Sequence, residues 1–248
     1  MQTMPSAMRQ LEETIGKILN ANRARIERAV ATPTDLSTLE AGLCYPARTL
    51  GISVPAISGG DVVRVVDGRG HVRPVYRGVL AYAAARANEA SAWRSFGDDA
   101  MSQLARFVFS SRTDAETRRY FEALIENQQV CGALVGADSS MNPETRWYEE
   151  LVRLHALGTY ACETGDAQAW GAVRRAAEFC QAEINPDHAT EQPWAIFPFW
   201  AESGTRLMAE EMLHTATMRD AGRGAGQLDA IGLILLADAM WCTRRALV

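Results

Sequence analysis

RWYEELVRLHALGTYACETGDAQAWGAVRRAAEFCQAEI, Arg146 to Ile184, is the stretch on which the fold turns. Two runs rich in Ala, Glu and Arg stand on either side of Thr164-Gly165-Asp166. Glycine ends a helix by entering the left-handed conformation that side chains disfavour, and aspartate caps the next helix through its carboxylate. The spacing predicts helices over Arg146 to Glu163 and Ala167 to Glu183, folded back as an antiparallel αα-hairpin.

The same punctuation continues outward. Asn142-Pro143-Glu144 places a cap, a proline at the first helical position and an acid in the first turn. Thr113 and Glu116 have capping-box spacing, and Asp98 is placed to cap a helix from Ala100 to Phe109. Leu11, Ile15, Ile18 and Leu19 give Met4 to Val30 a helical apolar stripe. Further helices are expected near Thr205 to Asp220 and Gln227 to Leu247. The segment from Ala41 to Pro74 differs, with Pro46, Pro55, Pro74 and the pair Gly59-Gly60. Its β-branched run Val62 to Val66, followed by Asp67-Gly68, is a hairpin signal. The expected fold is mainly α: one helical domain over residues 1–248, a partial α/α-toroid or αα-hairpin array. Within it lie an N-terminal helix in 1–35, an irregular segment at 41–74 with a small β-ribbon near 50–75, and an αα-hairpin body over 75–248.

In its helix, TGD turn and second helix, Arg146 to Ile184 resembles one hairpin of the α/α-toroid proteins. That group includes terpenoid cyclases, protein prenyltransferases and six-hairpin glycosidases and lyases. The resemblance implies a helical barrel with a cavity at one end. It carries over no catalytic residue, because neither the aspartate-rich acid motif of the cyclases nor the zinc ligands of the prenyltransferases are matched.

Composition excludes several classes. Hydrophobic residues make up 48% and charged residues 22% of 248, which argues for a packed core and against disorder. A net charge of -5 gives no global attraction to nucleic acid or anionic lipid, and neither is expected as a partner. The apolar run Ile231 to Ala237 is too short to cross a bilayer. Five scattered cysteines, without CxxC or CxxH pairs, read as buried free thiols of a cytoplasmic protein. No cofactor or metal is expected. Glu210 and His214 are four apart, but lie opposite the Met208, Met212 and Ala216 stripe, as a solvated pair would.

The candidate site residues are polar groups in apolar places. On a wheel of about 100° per residue, Trp147, Leu151, Leu154, Gly158 and Ala161 form one face, with Glu150 and His155 at its edges. Glu149 and Arg153 lie behind as an expected i,i+4 pair. Glu150 is then a carboxylate near apolar surroundings, suited to general-acid work or to an arginine partner from elsewhere. His155 suits a site or a buried bond to backbone. Asp238 falls in the middle of the final helix, between apolar faces on both sides, where a charge must be paired or bonded. Asp229 sits at that helix's start and favours its dipole.

NPDHATEQPWAIFPFW, Asn185 to Trp200, supplies the remaining candidates. Its proline ends the preceding helix, and Pro198 argues against a regular element in the aromatic part. Asp187, His188 and Gln192 beside Trp194 give directed hydrogen bonds next to flat apolar faces, as a sugar or isoprenoid site requires. The same residues would serve as a loop closing the end of a helical barrel. Two function classes follow. One is a small-molecule or glycan site with Glu150, His188 and Asp238 as catalytic groups and Trp147, Tyr148, His155, Asp187, Gln192 and Trp194 binding the substrate. The other is a non-catalytic helical-repeat scaffold for a protein or peptide. The apolar final helix also admits a homo-oligomer interface.

Overall fold

The computed structural model describes residues 4–31, 37–54, 64–67, 70–87, 96–136, 141–184, 192–220 and 228–247. These are mainly helical. The helices are α1 (Met4–Ala21), α2 (Arg23–Ala31), α3 (Cys44–Thr49), α4 (Pro74–Arg86), α5 (Ala100–Phe109), α6 (Ala115–Glu126), α7 (Pro143–Thr164), α8 (Ala167–Glu183), α9 (Ile196–Ala201), α10 (Arg206–Asp220) and α11 (Ala230–Ala246). A 3-10 turn, Leu39–Leu43, leads into α3.

Helix ends follow their capping chemistry. Gly165 takes φ 70°, and the Asp166 carboxylate accepts from Gln168 and Ala169 N–H. The α7/α8 pair packs together across this turn, as the hairpin reading expects. Asn142 caps α7 through Glu144 N–H, with Pro143 in the first turn. Two caps fall one residue from the expected position. Asp99, not Asp98, accepts from Met101 and Ser102 N–H, and Asp114, not Thr113, accepts from Thr117 N–H. The N-terminal helix is broken at Asn22. Its side-chain amide takes the Ile18 carbonyl at 3.0 Å, and its own carbonyl starts α2 by accepting from Arg25 and Ile26.

The expected β-ribbon is not seen among the described residues, which contain two isolated bridges, Val66 with Thr38 and Val66 with Val72. Val66 spends both backbone groups on the 37–39 segment, accepting from Leu39 N–H and donating to the Ser37 carbonyl. Pro74 then opens α4. Residues 55–63 and 68–69 of that segment lie outside the described residues.

Buried apolar side chains join in one cluster, with α11 running through it. This helix packs against α1, the 3-10 turn, α3, α4, α7 and α9. Ala230 to Met240 are all buried, so the apolar faces of α11 are covered within the chain itself. Among the described residues no helix is long and apolar enough to cross a membrane. Of the free cysteines, Cys44, Cys180 and Cys242 are buried and Cys162 is half-buried. Cys131 departs from the expectation and is exposed, in the turn that precedes Gly132.

Candidate functional site

Asp238 organises the polar interior. It is 1% exposed, in the middle of α11. Its Oδ1 accepts from the Tyr45 hydroxyl at 3.2 Å and from the Tyr82 hydroxyl. Its Oδ2 accepts from the Thr159 hydroxyl at 2.7 Å and lies 3.1 Å from His155 Nε2, although the ring N–H is not aligned on it. Arg86 Nε donates to the Tyr82 hydroxyl at 2.6 Å and stands 4.0 Å from Asp238 Oδ1. Its guanidinium also donates to Glu163 Oε1 at 2.6 Å and lies 3.8 Å from the Trp241 ring centroid. Arg112 completes the chain on the second oxygen of Glu163, whose side chain is fully buried.

Four helices build the centre of this network by simple helical spacing, and the turn after α5 adds Arg112. Residues His155, Thr159 and Glu163 are four apart on α7, and Tyr82 and Arg86 are four apart on α4. Tyr45 comes from α3, and Asp238 and Trp241 from α11. Burial alone would raise the Asp238 pKa. The adjacent His155 ring, the Arg86 charge and the Tyr82 hydroxyl outweigh it and hold the carboxyl at about 2. Tyr45 and Tyr82 are driven the other way, well above the ordinary phenol value, chiefly by burial. The carboxylate is therefore ionised and the phenols are protonated donors.

His155 faces two ways. Its Nδ1 accepts from the Ala195 N–H at 3.3 Å, which in the neutral ring puts the proton on Nε2, toward Asp238. Ala195 presents that N–H from a left-handed φ of 57°, a conformation costing roughly 1 kcal/mol for a residue with a side chain. It opens α9, which packs closely on α7 because a Cβ at Gly158 would collide with the Pro198 ring. Pro198 thus does not exclude a helix here: it lies in the first turn of α9, where its missing N–H has no helical partner to serve.

Of the expected residues, the structure brings together His155, Trp194 and Asp238. The rings of His155 and Trp194 meet edge-on at 5.4 Å, and Trp194 meets Tyr148 edge-on at 5.9 Å. Trp194 is fully buried and Trp147 half-buried. Glu150 belongs elsewhere. Its oxygens accept from the Leu134 and Val135 N–H groups at 2.8 and 3.0 Å. Burial raises its pKa against those bonds. Arg153, expected to pair with Glu149, donates to the Leu134 carbonyl at 2.9 Å. Gln192 donates to Asp229, which caps α11 through Gly232 N–H. Asp187 and His188 lie outside the described residues. Glu210 and His214 are both exposed on α10.

Beyond Trp194 and Tyr148 lies Arg73, which is exposed and marks a rim. The Arg73 guanidinium lies 4.6 Å from the Tyr148 ring centroid. Tyr148 is 7% exposed, and its buried hydroxyl has the Trp194 side chain as its neighbouring donor, although the two are not well aligned. Nearby, Tyr76 donates to Asp67 at 3.3 Å, and burial together with that carboxylate pushes its pKa up to about 12. Among the described residues no three His, Cys, Asp or Glu side chains gather as a metal site.

Sequence reasoning missed Tyr45, Tyr82, Arg86, Thr159 and Glu163. The one signal available was the polar stripe His155, Thr159, Glu163 on an otherwise apolar helix face. Comparison with protein-family models, curated proteins and solved structures finds no match.

Proposed function

We propose that this chain is a ligand-binding helical module that holds a small molecule at the Tyr148, Trp194, Gln192 and Arg73 end, and does not use Asp238 as an acid or base. In this reading one domain spans residues 1–248 as a partial α/α-toroid or αα-hairpin array, and the Asp238 network fixes the helices that carry the rim. The observation that carries the proposal is the saturation of the buried carboxylates. Asp238 is 1% exposed and already bonded by three hydroxyls, and both oxygens of Glu150 are taken by backbone N–H groups. A general acid or base must reach a substrate proton within hydrogen-bond distance, and these groups face other parts of the chain. At the other end, Tyr148 and Trp194 meet edge-on and the Arg73 guanidinium lies over the Tyr148 ring, a cation beside flat apolar faces.

The test is a thermal-shift screen with sugars, isoprenoid alcohols and small acids, followed by calorimetry, on the wild-type chain and on Asp238→Asn and Glu150→Gln. Binding that survives in the folded variants, without turnover in any protein, is the expected result. Turnover by wild type that disappears in a folded Asp238→Asn variant would overturn it.

A second reading, a scaffold for a peptide, has one observation in its favour. A groove of about 410 Å³ runs between the end of α8 and the start of α10, lined by Ile184, Met208, Glu183 and Glu211. Leu207 beside them is 62% exposed. Weaker peptide capture by Leu207→Glu, with small-molecule binding intact, would favour that reading.

A further inference from the structure

A cavity of about 320 Å³ lies where the first turns of α4 and α5 approach each other. Its walls carry Arg64, Arg73 and Arg77, the carboxylates Asp98 and Asp99, and an apolar side of Val65, Val72 and Pro74. We propose that this cavity binds a small molecule through an oxyanion group, a carboxylate or a phosphate. The inference rests on the ligand-binding reading above and names the ligand class for that end of the molecule.

The charge balance is the first argument. Arg64, Arg73 and Arg77 line the cavity with Asp98 and Asp99, and Asp99 is committed inward. One Asp99 oxygen accepts from Met101 and Ser102 N–H, and the other from the Ser102 hydroxyl at 2.6 Å. Neither Arg64 nor Arg73 forms an ion pair among the described residues. On a chain of net charge -5, two arginines at one cavity without an ion pair among the described residues run against the overall field.

Geometry is the second argument. Arg73 is held on the Tyr148 ring, and that stacking preorganises a planar fork whose N–H groups match two oxygens of a carboxylate or phosphate. Arg73 is also the residue at the N-cap of α4, where no side-chain acceptor caps the helix. The partial positive end of α4 therefore adds to the arginine field. The third argument is the apolar wall of Val65, Val72 and Pro74, which gives a compact ligand a face to pack on beside the guanidinium groups. The volume is at the small end of the range for small-molecule sites and suits a compact acid or phosphorylated compound.

The experiment is isothermal titration calorimetry at low salt with sodium phosphate, glycerol 3-phosphate, succinate and citrate, and with glucose and glycerol as neutral probes. The proteins are wild type, Arg64→Glu/Arg73→Glu, and Val130→Glu as an exposed control outside the cavity. Wild type and Val130→Glu are expected to bind at least one anion, with affinity falling about tenfold or more per arginine lost. Circular dichroism and melting of the double variant should match wild type, because both arginines are exposed. The phosphate and carboxylate arms separate the two oxyanions. Anion binding that is absent, or equal in wild type and a folded double variant, overturns the proposal. If neutral probes bind while anions do not, the oxyanion inference falls and the ligand-binding reading stands. If neither these probes nor the broader screen bind, both fall.

Discussion

Replacing Asp238 by alanine tests the central network directly. The substitution removes the acceptor for Tyr45, Tyr82 and Thr159, and leaves His155 Nε2 and Arg86 beside a void. Deleting one member of a buried charged pair costs about 3–5 kcal/mol. The lower end applies here, because Arg86 keeps Glu163 and the hydroxyls are free to re-aim at one another. A second route gives a similar figure. A carboxyl held at about 2, against 3.8 when unperturbed, represents about 2 kcal/mol of preference for the ionised form in the fold. We therefore expect Asp238→Ala to lose about 3 kcal/mol, a large part of a stability on the order of 5–15 kcal/mol. The melting temperature should fall by roughly 6–12 °C for a chain of this size. Urea unfolding followed by circular dichroism at pH 7 should show a lower midpoint with an unchanged slope. Asp229→Ala is the control. It removes the α11 cap and the Gln192 bond at the rim, for about 1 kcal/mol. If Asp238→Ala lies within 1 kcal/mol of wild type (about the cap value), or Asp229→Ala costs as much, the network does not hold the helices as argued.

The remaining expectations are smaller. Because the Asp238 pKa is lowered on folding, its contribution is complete above 3.8 and is lost as pH falls toward 2, so Asp238→Ala should flatten that part of a pH–stability curve. Glu150→Gln keeps one acceptor for the Leu134 and Val135 N–H pair and puts a donor against the other; a loss of about 1–2 kcal/mol is expected, with faster hydrogen exchange at those amides. Gly158→Ala drives a methyl into Pro198 and should cost about 1–3 kcal/mol, read as a drop in melting temperature. Ser111 is exposed at φ 52°, so Ser111→Gly should relieve backbone strain and gain about 0.5 kcal/mol in the same melt; a loss would contradict it.

How far the fold and site were legible follows from the range of each signal. The α7/α8 hairpin was readable because Gly165 and Asp166 act on their immediate neighbours. The caps at Asp99 and Asp114 were readable only to within one residue, since each adjoins another polar side chain able to accept the same N–H. Asp238 announced itself by standing in an apolar helix, but its partners could not be read. Tyr45, Tyr82 and Thr159 are 193, 156 and 79 residues away in the chain, and no local pattern marks a tyrosine that donates across a core. Glu150 shows the same limit: its apolar surroundings were legible, but its partners are two backbone N–H groups that no residue type encodes.

The position of Asp238 also bears on why a charge belongs in such a helix at all. Ala230 to Met240 are buried on every side, so apolar burial alone gives α11 little reason to prefer one rotation or axial position over another. A carboxylate with donors fixed on α3, α4 and α7 removes that freedom, because a turn or slide of α11 breaks directional bonds that packing cannot replace. Asp229 lies nine residues earlier on the same rigid rod, about 14 Å along its axis. There it caps the helix and holds Gln192, two residues from the tryptophan that packs between His155 and Tyr148. The sealed end of α11 thus sets the register of the end that meets the rim. The deep acid acts on the rim by position, through the helix, and needs no contact with whatever the rim binds.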